Sequence, residues 1–308
     1  MKKILITGAS GYIGSHLGVY LKRKNYQVKL VGRSRVNKIG YEQVTNLYDR
    51  QTWEKLLYDI DTVVHLAASA HVNKKLDVNY FRRTNFALDK VLISAVKNSS
   101  VKQFINMSSI GVNGESNNCV PFSAIDKPRP IKPYAIVKSQ SEALITSSLL
   151  EANIDCVHIR PPMVYGAGAP GNFARLQKLA CASFPNIFTK VINLRHFIAI
   201  DNLSDFVEMC LSNPLAANQT FTVSDPTAVS TAQVYASLQN HCGVISTTLG
   251  LQPNLLRAGL RLYGGNELMQ SLTGNLTIDN SKATKLLNWR APVDNITQYK
   301  FPQTQEKL

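Results

Sequence analysis

The chain has 308 residues, 44% of them hydrophobic, enough for one large or two coupled domains with a substantial core. Charged residues make up 18%, and the absence of any long polar or low-complexity tract excludes global disorder. A formal net charge of +14 suits polyanions such as dinucleotides and nucleotide-sugars, and also leaves open loose contact with an anionic membrane surface.

Met1-Lys2-Lys3 followed by Ile4-Leu5-Ile6 has the outline of a secretion signal, but Thr7-Gly8 ends the apolar run far too early. Lys2–Thr7 is instead predicted as a buried parallel strand. Gly8-Ala9-Ser10-Gly11-Tyr12-Ile13-Gly14 follows as a turn, and Tyr12–Lys24 has a helical stripe of Ile13, Leu17, Tyr20 and Leu21. Further strands are predicted at Gln27–Val31, Gln43–Thr45, Asp61–Leu66, Gln103–Met107 and Asp155–Ile159, with helices at Asn79–Lys97 and Pro133–Glu151. Strand alternating with helix in this way implies an α/β fold, a Rossmann-like doubly wound parallel sheet. After Arg160 the pattern loosens. Gly166–Gly171 reads as a loop, Asn172–Cys181 and Asn202–Leu211 as helices, and His196–Ile200 and Thr220–Val223 as strands. Ser230–Trp289 is mostly helical by pattern, and Tyr299–Leu308 is a polar tail. The expected division is a dinucleotide-binding domain of residues 1–160 plus about 196–224, and a smaller, mostly helical C-terminal substrate domain of 161–195 and 225–308.

The glycine turn carries the first chemical signal. Gly8 permits a tight exit from the strand, Gly11 lets backbone approach a pyrophosphate, and Gly14 lets the helix pack on the sheet. The helix N-terminus then offers unpaired N–H groups to phosphate. The second strand ends in Val31-Gly32-Arg33-Ser34-Arg35, without the carboxylate that would hold an adenosine ribose hydroxyl. Arg33 or Arg35 could clasp a 2′-phosphate there, so NADP is expected over NAD. Tyr134 and Lys138 are four apart in a predicted helix and share a face. A phenol alone is a weak acid, and a neighbouring ammonium favours its phenolate. Ser109, of the Ser108-Ser109 pair, would hydrogen-bond the reacting oxygen, and Tyr134 would move the proton as hydride moves to or from carbon.

Other features point elsewhere less strongly. Cys119, Cys156, Cys181, Cys210 and Cys242 are odd in number and never spaced as Cys-x-x-Cys, which argues against a disulfide framework or zinc site and for a reducing, cytoplasmic setting. His65, His71, His158, His196 and His241 show no metal-ligand spacing, so no metal is expected. Asp201-Asn202 reads as a helix N-cap, and Trp53 and Trp289 as packing groups. No zinc-finger, RRM or long basic-aromatic segment suggests nucleic acid, and apolar runs such as Thr62–Ala68 fall far short of the ~20 residues of a spanning helix.

The series Gly8–Gly14, His65-Leu66-Ala67-Ala68, Asn85, Met107-Ser108-Ser109, Tyr134/Lys138, Arg160–Gly166 and Asp279–Lys282 resembles the extended short-chain dehydrogenase/reductase family, in its NAD-dependent epimerase/dehydratase group. The likeness runs from Met1 to about Pro292. Within the group it points to enzymes of bacterial surface-polysaccharide synthesis, namely 4-ketoreductases of the UDP-N-acetylquinovosamine type and UDP-glucose 4-epimerase-like proteins. The resemblance implies that Ala67 and Ala68, with Leu66 before them, pass under the cofactor, that Asn46 and Leu47 lie by the adenine, and that Pro161–Val164 flank the nicotinamide. Tyr12, Ile13, Ser34 and Ser108 would complete the cofactor site, while Lys138 would also reach the nicotinamide ribose. Ser109, Asn113, Asn172 and Arg195 would meet the substrate, Asn172 at the diphosphate and Arg195 at a phosphate. The chain departs from the family pattern at Asn113, where many members have tyrosine, at Asn46, where aspartate is usual, and near Met269–Leu272, where no late arginine stands.

The leading expectation is a reductase acting at C4 of a 4-keto UDP-sugar. The alternative is a UDP-sugar 4-epimerase, and a non-catalytic dinucleotide sensor is a third reading. The resemblance also implies a homodimer formed through helices that include Asn79–Lys97 and Pro133–Glu151.

Overall fold

A computed structural model describes residues 2–34, 40–70, 76–117, 120–245 and 247–300; Arg35, His71, Cys119 and residues 301–308 lie outside the described residues. In chain order the first half comprises β1 (Lys3–Thr7), α1 (Tyr12–Arg23), β2 (Gln27–Gly32), β3 (Tyr41–Gln43), α2 (Arg50–Leu56), β4 (Thr62–His65), α3 (Val78–Phe81), α4 (Ala87–Val96), β5 (Gln103–Met107) and α5 (Pro133–Glu151). The second half continues with β6 (Asp155–Arg160), β7 (Val164–Tyr165), α6 (Gly171–Cys181), β8 (Ile198–Ala199), α7 (Ile200–Ser212), β9 (Gln219–Thr222), α8 (Thr231–His241), α9 (Pro253–Thr273) and α10 (Ser281–Leu287).

Seven strands form one sheet in the order β3-β2-β1-β4-β5-β6-β9, and every pairing is parallel. The chain winds outward from β1 in one direction, then crosses back to β4 and winds in the other. The topological switch therefore falls between β1 and β4, where the loops leaving the two strands diverge and open a crevice. The register keeps the carboxyl ends level, with Thr7 opposite His65 and Met107 opposite Ile159.

Alternation along β1 builds both sides of the core. Ile4 and Ile6 pack with Leu17, Leu21, Leu203 and Phe206, while Leu5 faces the other way onto Trp53, Leu92, Ile145 and Leu149. Each such side chain contributes about 1.5–3 kcal/mol on burial. A separate apolar cluster of Tyr165, Phe173, Phe188, Tyr235 and Leu256 holds together the mostly helical part that follows the sheet.

Several expectations are corrected. β3 lies two residues earlier than Gln43–Thr45, as a short edge strand whose pairing is set by Leu30 and Gly32 of β2. The segment Asn79–Lys97 is interrupted by a π-helical turn at Arg82–Phe86. α2 had no sequence expectation, although Asp49 caps it by accepting from the N–H groups of Gln51 and Thr52 at 3.3 and 3.0 Å. His196–Ile200 yields only the two-residue β8, which pairs with β7 outside the main sheet. The Asp201-Asn202 cap is not formed. α7 starts at Ile200, and Asn202 is buried with its amide donating to Asp225 Oδ1 at 2.6 Å and the Val293 carbonyl at 2.7 Å. Cys181 and Cys242 are joined by a disulfide, with Cα atoms 5.3 Å apart, against the expectation from cysteine spacing. A separation of 61 residues carries no local signal; the pairing arises because α6 and α8 both end at the same side of the C-terminal cluster. Trp53 and Trp289 are buried packing groups as expected.

Candidate active site

A cleft of about 200 Å³ occupies the switch point. Of the residues expected at the cofactor, Gly8, Gly11, Arg33, Ser34, Leu47, Leu66, Ala67 and Ala68 line it. Gly8 has φ of +66°, and a Cβ there would meet Ala67 Cα at 2.8 Å. Gly14 lies behind the turn, where a Cβ would sit 2.4 Å from the Gly8 carbonyl oxygen. Substitution at either position would fill the cradle or push α1 off it. No side chain caps the first turn of α1, and no acidic residue lies there. The N–H groups of that turn are thus open to an anion, and a dinucleotide pyrophosphate fits this donor set.

The other expected cofactor residues stand apart from the cleft wall. Tyr12 packs edge-on against His16, and its hydroxyl lies beside Gly166 without a hydrogen-bond partner among the described residues. Ile13 packs into the core. Asn46 is exposed and accepts from the Tyr48 N–H at 3.0 Å. Ser108 is buried in the backbone, its N–H donating to the Ile159 carbonyl at 2.7 Å. The Pro161 carbonyl accepts from Ile110 N–H at 2.9 Å, and Val164 is held in β7. Residues missed from the sequence also line the cleft, among them Thr7, Ser10, Tyr48, Ser69 and Thr84, together with Asn85, which carried the family resemblance without an assigned role. Asn85 accepts from the Ser69 N–H at 2.8 Å and so shapes the loop after β4. Its signal was that resemblance alone; Tyr48 and Thr84 belong to no motif.

The side chains expected to move a proton are built on and around α5. Pro133 occupies its first turn, a position where the missing N–H costs nothing. Tyr134 follows with its ring edge-on to Phe81, centroids 5.7 Å apart. One turn on, Lys138 is 3% exposed and donates from Nζ to the Met107 carbonyl at 2.9 Å. That bond brings the helix against the end of β5, directly before Ser108-Ser109. Ser109 Oγ accepts from Gly111 N–H at 3.2 Å and caps a short 3-10 turn. A Cβ on Gly111 would lie 3.2 Å from Ala135 Cβ, so the Ser109 turn rests on the same end of α5 as Tyr134.

The expected substrate residues fare unequally. Asn172, exposed at the start of α6, lines a second, smaller cavity of about 20 Å³ with Met163, Phe197 and Thr231. Asn113 is corrected. It is 2% exposed, its Nδ2 donates to the Ser123 carbonyl at 2.7 Å, and its Oδ1 accepts from Arg160 Nη1 at 3.0 Å, so the amide is spent on the fold. Arg160 also grips Glu142 through two bonds of 2.9 and 2.6 Å. Burial pushes the Glu142 carboxyl up, but the Arg160 bond and charge, with the His158 and Ser108 side chains, together overcome that push and hold the group below its ordinary range. Arg195 is buried, and its Nη1 donates to the carbonyls of Gln270 and Gly274 at 3.3 and 2.8 Å, where it closes the end of α9. Burial pulls its guanidinium down to about 10.

Comparison with known proteins gives a consistent set of likenesses. The model of the NAD dependent epimerase/dehydratase family matches residues 4–224. A UDP-glucose 4-epimerase of Vibrio cholerae is 34% identical over 314 residues, covering 99% of this chain and 95% of the relative. Among solved structures, the UDP-glucose 4-epimerase of Thermotoga maritima with UDP-glucose superposes with a TM-score of 0.76 at 22% identity, covering 96% of each chain. The UDP-glucuronic acid 4-epimerase of Bacillus cereus in complex with NAD gives 0.75 at 24% identity, again covering 96% of each. The two structural likenesses speak to the fold.

Proposed function

The chain belongs to the NAD-dependent epimerase/dehydratase family, and from that premise we propose that it is a UDP-sugar 4-epimerase acting on substrates of the UDP-glucose or UDP-N-acetylglucosamine type. What carries the substrate class is the end-to-end likeness to the Vibrio cholerae UDP-glucose 4-epimerase. It favours the epimerase alternative over the 4-keto reductase first expected, which no comparison singles out.

NAD is the cofactor we assign, supported by the family and by the NAD in the Bacillus cereus relative. The expected NADP preference retains only Arg33 in its support, exposed at the cleft; Arg35 lies outside the described residues. Gly8, Gly11 and the first turn of α1 would hold the pyrophosphate, Leu47 and Arg33 the adenosine end, and Leu66–Ala68 the floor. Bound there, the cofactor supplies a hydride acceptor and donor. Tyr134 takes the proton from the sugar hydroxyl at C4 and later returns it, Ser109 hydrogen-bonds the same oxygen, and Lys138 keeps a positive charge beside the phenol. Asn172 and Arg195 remain our candidates for the nucleotide diphosphate. Residues 1–160 with about 196–224 would form the cofactor domain and the remainder the substrate domain, with a homodimer formed through α3, α4 and α5.

An epimerase keeps its reduced cofactor through the cycle, whereas a reductase releases oxidised cofactor every turnover. Purified protein should therefore carry NAD at about one per chain and interconvert C4 epimers of a UDP-sugar without added reductant. Turnover that needs a 4-keto UDP-sugar and consumes added NADPH would overturn the assignment in favour of the reductase.

A further inference from the structure

Glu115 places a carboxylate beside the Ser109 turn. Its side chain is 14% exposed, and its Oε2 pairs with Lys132 Nζ. Lys132 stands at the N-cap of α5, two residues before Tyr134. Glu115 Oε1 accepts no hydrogen bond among the described residues. This free oxygen is the one nearer the turn. A Cβ built on Gly111 would lie 4.0 Å from Glu115 Oε1 and 3.4 Å from Ser109 Oγ, so both oxygens border the same space.

The far end of the same loop is tied to the segment that carries Arg195. Asn117 Nδ2 donates to the Thr277 carbonyl at 2.7 Å, and its Oδ1 accepts from the Thr277 N–H at 3.0 Å. Next to Thr277, the Leu276 N–H donates to the Leu194 carbonyl at 2.9 Å, and the Leu276 carbonyl accepts from the His196 N–H at 2.8 Å. Glu115 thus stands on the stretch of chain that runs from Ser109 to the neighbourhood of Arg195, our candidate for the diphosphate. A sugar with its C4 oxygen at Ser109 and its diphosphate at Arg195 lies along this carboxylate. A carboxylate accepts from hydroxyls in bonds stronger than neutral ones, and it repels a second carboxylate. The Lys132 charge is already matched by Glu115, so it offers a uronate no free cation.

We propose that Glu115 is a specificity-determining residue of the sugar site: its free oxygen holds a hydroxyl of a neutral UDP-hexose beside the reacting carbon, and its charge turns away UDP-hexuronates. The inference rests on the UDP-sugar reading above and narrows its substrate class. Calorimetry on NAD-loaded protein, with UDP, UDP-glucose and UDP-glucuronate as probes, tests it without turnover. The parent should bind UDP-glucose at least about tenfold more tightly than UDP-glucuronate. Glu115→Gln keeps the shape and removes the charge. It should weaken UDP-glucose about tenfold, tighten UDP-glucuronate, and leave UDP within about twofold. Lys132→Gln breaks the same ion pair but leaves the carboxylate, so it should keep the preference for UDP-glucose. A purely structural role for the pair gives matching losses in both variants, UDP included. Such matching losses, or equal affinity of the parent for the two sugars, would overturn the proposal. Binding without epimerisation would overturn only the 4-epimerase reading, whereas failure to bind UDP or either sugar would overturn both.

Discussion

Tyr134 illustrates how much one side chain is asked to do. Its ring is half-buried against Phe81, so phenylalanine in its place keeps the packing and removes only the hydroxyl proposed to carry the proton. Tyr134→Phe should lower turnover by about two to four orders of magnitude, leaving the NAD content of the purified protein unchanged; a rate near that of the parent would remove Tyr134 from the mechanism. The Tyr134/Lys138 spacing and Ser109 were legible because four residues on a helix and the end of a strand are local facts. Glu115 was not, since a glutamate in a loop looks like any solvated acid until Lys132 and the turn at Ser109 are seen beside it. Asn113 failed in the opposite direction. The family resemblance implied a substrate contact there, yet Arg160, 47 positions away, claims its side-chain oxygen.

Elements were readable in proportion to how much of their stability is local. β1, the turn and α1 follow from an apolar run, three glycines and an amphipathic stripe. Their junction is tight enough to test. At Gly14 the obstruction to a Cβ is backbone, the Gly8 carbonyl oxygen and Ala9 Cα at 2.4 and 2.7 Å, and neither can rotate aside. Gly14→Ala should cost about 1–3 kcal/mol by overpacking and displace the first turn of α1 from the phosphate position. The purified variant should melt lower and lose its NAD on gel filtration; an unaltered melting temperature with full NAD would show that the junction yields. β3 and β8 were misplaced because short edge pieces take their register from partners. α5 has a different ambiguity. Its buried side carries Lys138, Ser141 and Glu142 as well as Ile145 and Leu149, so its inner face is partly polar and only the long run without breakers marks it as a helix.

Across the whole molecule, buried titratable groups set the response of stability to pH. Burial pulls the His158 imidazole from 6.5 down to about 4. Between those values the unfolded chain binds a proton that the folded chain refuses, so stability falls as pH falls through that window. Asp225 has the opposite slope. Burial raises its carboxyl from 3.8 to about 6, against the bonds from Ala199, Tyr165 and Asn202. The folded chain then keeps a proton that the unfolded chain releases, and stability falls as pH rises from 3.8 to about 6. Thermal unfolding between pH 7 and pH 4 should show the two partly cancelling. Asp225→Asn should steepen the loss toward acid, and a slope no steeper than the parent's would show that Asp225 is ionised in the fold. At this scale the sequence by itself determined the doubly wound class, the glycine turn between β1 and α1 and the placing of Tyr134 and Lys138 on one helix, because strand periodicity, backbone freedom at glycine and one-turn spacing are written in neighbouring residues. Only the tertiary structure decided which polar groups are buried together: the Asp89–His65–Thr7 hydrogen-bond chain, the Glu142–Arg160–Asn113 lock and the Cys181–Cys242 bridge. Each joins segments far apart in the chain, and the energy of a buried polar pair depends on a partner that no local pattern names.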